Sequence, residues 1–156
     1  MTASQFAPIF ELLRGDTLES LHYGAAAVVE AGGRLLAWHG DANAAAYLRS
    51  SAKPLQLLPF LEGGGQAYFN LTAEEIALMC SSHSGSDEHV AVVRCIQEKA
   101  NLQEHDLQCG VHPISHIPTQ EAMRLRGEAL SPNRNNCSGK HAAMLAFARM
   151  RGLPTE

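Results

Sequence analysis

The apolar positions change their spacing along the chain. Residues 9 to 14 read as a short strand that turns at Gly15-Asp16. "YGAAAVVEAGGRLLAWHGD" places apolar runs on either side of Gly32-Gly33, a hairpin signal, with strands expected near 23–31 and 34–39. After residue 50 the pattern turns helical. Leu55, Leu58 and Leu61 recur at helical spacing, Pro54 suits a first turn, and Pro59 is expected to kink or end that helix. Thr72 and Glu75 form a capping-box pattern with Leu71 and Ile76 at staple spacing, and Ile76, Met79 and Cys80 give an apolar face. A further helix begins at Ser86 or Asp87 and aligns Val90, Val93, Ile96 and Ala100. Residues 101 to 134 are less regular: "QCGVHPISHIP" and "LSPNRNN" read as loop. "GKHAAMLAFARMRG" is apolar around most of its circumference, as in a buried helix, and Gly152 and Pro154 close it. With no internal repeat, strands followed by helices predict an α+β fold, an antiparallel sheet with packed helices.

Composition narrows the functional classes. A chain of 156 residues with 46% apolar content can bury a core as one domain. Its net charge of −4 gives no reason to expect nucleic acid or an anionic membrane surface. No run of eighteen apolar residues occurs, and "MTASQFAPIFELLRGDTLES" lacks the basic start and apolar core of a secretory signal, so the cytoplasm is the default compartment. In a reducing compartment Cys80, Cys95, Cys109 and Cys137 read as buried thiols or ligands, Cys95 as core.

Three stretches can carry chemistry. In "RSSAKP", Ser50 and Lys53 stand one helical turn apart. The bland reading makes Ser50 or Ser51 a cap and leaves Lys53 in solvent. The sharper one makes Ser50 a nucleophile and Lys53 its base, which requires a neutral amine, with free N–H groups of the helix start stabilising an oxyanion. "CSSHSGSD" reads as a helix–helix loop capped by Ser86, or as a polar patch of Ser82, His83 and Ser84 in which Gly85 lets backbone approach a ligand. "NNCSGKH" opens the apolar helix with a lysine, which is costly to bury without a partner. It is not a phosphate loop: that pattern needs a glycine five residues before Gly139, where Arg134 stands. Cys80-x-x-His83 and Cys109-x-x-His112, with His116, also have the pair spacing of a closed zinc site.

Taken in order, "RSSAKP", "IALMCSSHSGSDEH", "CGVHP" and "NNCSGKHAAMLA" resemble the rhizobial-type, or class 3, L-asparaginases, from about Tyr23 to the last helix. The resemblance implies hydrolysis of L-asparagine, a small-molecule substrate, to L-aspartate and ammonia. It implies a fold related to serine β-lactamases, penicillin-binding proteins and glutaminases. Carried over by position, Ser50 and Lys53 match the first serine–lysine pair, Ser82 the serine of the second pair, and Cys137 and Lys140 two of three zinc ligands. Family members are longer, so the chain looks like the N-terminal portion of such an enzyme. The second lysine and the third ligand would then lie past Glu156, and zinc is expected to bind weakly or not at all.

Arg49 is a candidate partner for the substrate α-carboxylate, or one half of a structural ion pair, and His83 a second substrate-binding candidate. A homodimer stays open. Two rival readings remain: another serine acyl-transfer enzyme of glutaminase type, which Ser50 and Lys53 alone would fit, and a non-catalytic zinc-binding module on the same scaffold.

Overall fold

A computed structural model describes residues 5–155. It is an α+β molecule with two compact units, Met1–Tyr47 and Leu48–Glu156.

The first unit is built from two antiparallel hairpins. β1 (Ala7–Arg14) pairs with β2 (Thr17–Gly24), and Gly15 takes the left-handed conformation that the intervening turn requires. β3 (Ala26–Val29) pairs with β4 (Leu35–His39) around the expected Gly32-Gly33 turn, where the Gly33 N–H donates to the Glu30 carbonyl at 2.9 Å. The strand expected near 23–31 is therefore shorter, and β2 was not anticipated. "TLESLHYG" mixes polar and apolar side chains, and register shifts opposite it in β1 break the alternation that a strand search looks for.

The second unit holds the core. α1 (Lys53–Glu62), α3 (Ala73–Cys80), α4 (Asp87–Lys99) and α6 (Ser138–Met150) bury Leu57, Phe60, Leu78, Met79, Val93 and Ile96 together. The inward face of α6 is Gly139, Ala142, Ala143 and Ala146, residues small enough for helices to approach closely. Ideal Cβ geometry at Gly139 would fall 2.5 Å from the Leu78 carbonyl oxygen, so the start of α6 lies directly on the end of α3.

The capping box at Thr72 forms as expected: Glu75 N–H donates to Thr72 Oγ1 at 3.2 Å and Thr72 N–H to Glu75 Oε2 at 2.7 Å. Ser86 caps α4, and Val90, Val93, Ile96 and Ala100 are buried along one side.

Four expectations need correction. α1 buries Lys53, Leu57 and Phe60, while Leu55 and Leu58 are exposed. Apolar residues lie on both sides of this helix, so leucine spacing alone fits either face. Pro59 does not end α1; it sits on the exposed side, where water can replace a missing ladder bond. Cys95 is exposed, because the buried face of α4 runs through Val93, Ile96 and Gln97. A helix, α5 (Ile117–Arg126), occupies part of the stretch read as irregular, with Pro118 in its first turn and left-handed Gly127 as its stop. The short helix α2 (Gly65–Tyr68) links α1 to α3. Among the described residues no helix is long and apolar enough to cross a membrane.

Candidate active site

Ser50 lies in a 3-10 turn, Arg49–Ala52, that runs into α1. Lys53 is the first residue of α1 and only 3% exposed. Neither Ser50 nor Ser51 caps this helix by its side chain; Ser51 Oγ donates back to the Leu48 carbonyl at 2.5 Å. Lys53 shares its helical face with Leu57 and Phe60, so the apolar face that anchors α1 also draws the lysine inward.

The Lys53 amine meets three acceptors there. Nζ stands 2.7 Å from the Ser81 carbonyl, 2.7 Å from Ser82 Oγ and 3.3 Å from the Asn136 carbonyl. Ser82 Oγ in turn lies 2.9 Å from Ser50 Oγ. The two serines are 32 residues apart, and both are exposed while the lysine is buried. The Ser81-Ser82 loop and Asn136 thus converge on one amine, and Ser50 joins them through Ser82. Ser82 hydroxyl, rather than Ser50, is its immediate neighbour.

The loop Ser81–Ser86 is held from several directions. His83 is 5% exposed, and both ring nitrogens are engaged. Gly85 N–H donates to Nδ1 at 3.2 Å, and Nε2 lies 2.8 Å from Ser138 Oγ. Ser138 Oγ donates to the Asn133 carbonyl at 3.0 Å, so the Nε2 side must carry the proton that Ser138 accepts. His83 is thereby a neutral imidazole of defined tautomer. Burial, with His89, Lys53 and His112 adding like charge, pushes its pKa down to about 4. The substrate contact expected of His83 meets a ring already bonded on both sides.

Gly85 adopts φ 77° against Ile114 and the Arg134 carbonyl, a close approach to protein rather than to a ligand. Buried Arg134 donates to the Gly85 carbonyl at 2.9 Å and to Asp87 at 2.6 Å, and also pairs with Glu128. This network fastens the serine loop to the segment that opens α6.

Arg49 is exposed and holds φ 48°, a left-handed conformation that is uncommon for a non-glycine residue. The oxyanion donors expected at the start of α1 are largely engaged: Ser51 N–H donates to Leu48, Lys53 N–H donates to Ser50, and Pro54 has no N–H.

Cys137 is the N-cap of α6, and Lys140 follows one turn later, half-buried. Burial pushes the Cys109 thiol up, and Cys137 and Lys140 are among the groups that act on it electrostatically. A thiol and an amine on one turn, with a second thiol nearby, suit the donor chemistry of zinc. Among the described residues no three His, Cys, Asp or Glu side chains gather closely enough to hold a metal ion, so the pairs Cys80/His83 and Cys109/His112 do not build the closed site that their spacing allowed. A cavity of about 40 Å³ touches both Lys53 and Lys140, with Leu57, Met79 and Phe147 in its wall. It has room for water but not for a molecule the size of an amino acid.

Sequence reasoning missed the backbone acceptors at Ser81 and Asn136 and the anchor at Ser138. Asn136 and Ser138 fall inside "NNCSGKH", but a carbonyl leaves no trace in residue type. No curated protein matches the chain. A family model described as L-asparaginase II matches residues 10–156, nearly the full length, and the chain therefore belongs to the L-asparaginase II family.

Proposed function

We propose that this protein is a serine amidohydrolase acting on L-asparagine, with Ser50 as nucleophile and Lys53 as base. The observation that carries the reading is the chain of contacts from Ser50 Oγ through Ser82 Oγ to Lys53 Nζ. Lys53 Nζ has acceptors on three sides, the Ser81 carbonyl, Ser82 Oγ and the Asn136 carbonyl. For Lys53 to act as base the proton on the Ser82 side must be absent: the two carbonyls then hold its two N–H bonds, and its lone pair faces a Ser82 hydroxyl turned to donate.

Ser50 Oγ attacks the side-chain amide carbon of asparagine. Its proton passes to Ser82, and the Ser82 proton passes to Lys53. Collapse of the tetrahedral adduct breaks the C–N bond, and the proton returns from Lys53 through Ser82 to the departing nitrogen, releasing ammonia. Water then hydrolyses the aspartyl ester, giving aspartate and restoring Ser50. Arg49, exposed beside Ser50, supplies a cation for the substrate α-carboxylate. We infer a serine β-lactamase-like architecture, a reading supported by the Ser-x-x-Lys helix start and the α+β chain.

Cys137 and Lys140 would hold zinc, which when bound supplies positive charge beside the site. A lysine ligand must be the neutral amine. Ammonia release from L-asparagine, L-glutamine and a β-lactam, measured side by side, tests the reading. Release from asparagine supports it. Turnover of glutamine or the β-lactam alone would move the protein to another acyl-transfer class, and no turnover of any would favour a non-catalytic zinc module.

A further inference from the structure

The three acceptors around Lys53 are positioned by different means, and one is held by a histidine. The Asn136 carbonyl accepts from Lys53 Nζ at 3.3 Å and from the His83 N–H at 3.3 Å. The N–H of Asn136 donates to His112 Nε2 at 3.1 Å. His112 Nδ1 lies 2.7 Å from the Pro113 carbonyl, an acceptor that fixes the ring proton on Nδ1 and leaves Nε2 with its lone pair. Asn136 Oδ1 also stands 3.2 Å from that nitrogen; two acceptors cannot face each other, so the Asn136 amide takes the flipped orientation in which its NH2 group donates to Nε2 alongside the backbone N–H. His112 therefore carries the opposite tautomer to His83.

We propose that His112 is a positioning residue for the Lys53 base: its Nε2 fixes the Asn136 N–H and so aims the Asn136 carbonyl at the lysine amine. It touches neither serine by any hydrogen bond, and it acts through the backbone of one residue. Asn136 immediately precedes Cys137, the N-cap of α6, so its own N–H lies outside the helical ladder and needs a partner. His112 is 24 residues away on a loop free of helix or strand, and it supplies that partner. Without it the Asn136 peptide can rotate towards water. Lys53 then keeps its contacts to Ser81 and Ser82 but loses the carbonyl that orients its lone pair. The catalytic consequence rests on the amidohydrolase reading; the positioning itself does not.

Two variants separate positioning from bulk. In His112→Gln the amide oxygen can accept the Asn136 N–H, whereas His112→Phe fills similar space with no acceptor. The first readout needs no activity. Lys53 in the folded protein is reductively methylated with formaldehyde and cyanoborohydride as hydride donor, and the extent is followed by peptide mass spectrometry, with thermal melting to confirm that each variant is folded. His112→Phe should methylate at Lys53 about tenfold faster than wild type, and His112→Gln at close to the wild-type rate. A scalar coupling across the N–H···N bond between Asn136 and His112 Nε2, measured on 15N-labelled wild-type protein, should be present. The second readout is ammonia release from L-asparagine: His112→Phe should lose about tenfold or more in kcat with little change in KM, and His112→Gln should recover most of it.

Equal methylation of Lys53 in wild type and both folded variants, or absence of the coupling, would overturn the proposal. If His112→Phe cannot be folded, the coupling in wild type decides alone. Discriminating methylation in a protein that releases no ammonia would uphold the positioning and reject the hydrolase reading. Ammonia release indifferent to His112→Phe, with Lys53 methylated faster in that variant, would uphold the positioning and reject its catalytic consequence.

Discussion

Lys53 Nζ stands 2.7 Å from Ser82 Oγ, and Ser82 stands between it and Ser50. The serine one helical turn before the lysine is thus reached through a serine from a different loop. On the proposed mechanism Ser82 lies on the proton path, and the Ser-x-x-Lys spacing places both groups at one helix start rather than joining them directly.

Lys53→Arg keeps a positive charge and several donors but cannot accept a proton, since guanidinium stays charged at any working pH. The expected loss in kcat is about 10²- to 10⁴-fold, the range of general-base contributions. Retained activity in the steady-state ammonia assay would mean that Lys53 acts by charge alone.

Gly139→Ala probes the seam between the start of α6 and the end of α3, just past the Asn136 carbonyl that meets Lys53. The added Cβ would meet the Leu78 carbonyl at 2.5 Å, a backbone atom that cannot swing aside. Alanine in a helix gains up to about 1 kcal/mol over glycine, while overpacking costs about 1–3 kcal/mol. A net destabilisation of about 1–2 kcal/mol is expected from urea unfolding, with activity falling as α6 moves away from α3. A stabilised variant would show that the close approach relaxes freely.

His83 makes stability depend on pH. Its folded pKa of about 4 lies below the ordinary 6.5, so the unfolded chain binds the proton more readily. The contribution is full above about pH 6.5, falls as pH drops to about 4, and is flat below; its size is about 3 kcal/mol. Burial lowers the His141 pKa as well, which adds in the same direction. His83→Gln should flatten the slope of unfolding free energy between those limits while leaving the His141 part. An unchanged slope would contradict the buried neutral imidazole.

Zinc should bind this chain weakly, because Cys137 and Lys140 offer two donors where stable sites usually take three or four. Both donors must lose a proton, so affinity should rise with pH, and Cys137→Ser or Lys140→Met should each lower it. Calorimetric titration at two pH values measures this. Tight binding that survives both substitutions would point to Cys80, Cys109 or a histidine instead.

Much of this site was legible in residue order, and the reasons are local. Thr72 with Glu75 and Ser86 before α4 are capping signals that neighbouring backbone satisfies, so they survive folding unchanged. Ser50 and Lys53 were visible as a spacing. That Lys53 turns inward was not, because Leu55, Leu57, Leu58 and Phe60 leave two faces of α1 apolar and tertiary packing chooses between them. The α5 helix was lost for a related reason: it buries only Thr119 and Met123, too few positions for a period to stand out. The Ser81 and Asn136 carbonyls are common to any residue type, and their role appears only once three loops meet.

The central claim is that asparagine is hydrolysed through Ser50 with its proton carried by Ser82 to Lys53. Continuous ammonia release from L-asparagine, compared among wild type, Ser50→Ala and Ser82→Ala, tests it most directly. The account predicts release by wild type, at least a thousandfold loss in Ser50→Ala, and a loss of about 10²-fold or more in Ser82→Ala with KM little changed. No release by wild type, or undiminished release by Ser50→Ala, would contradict it.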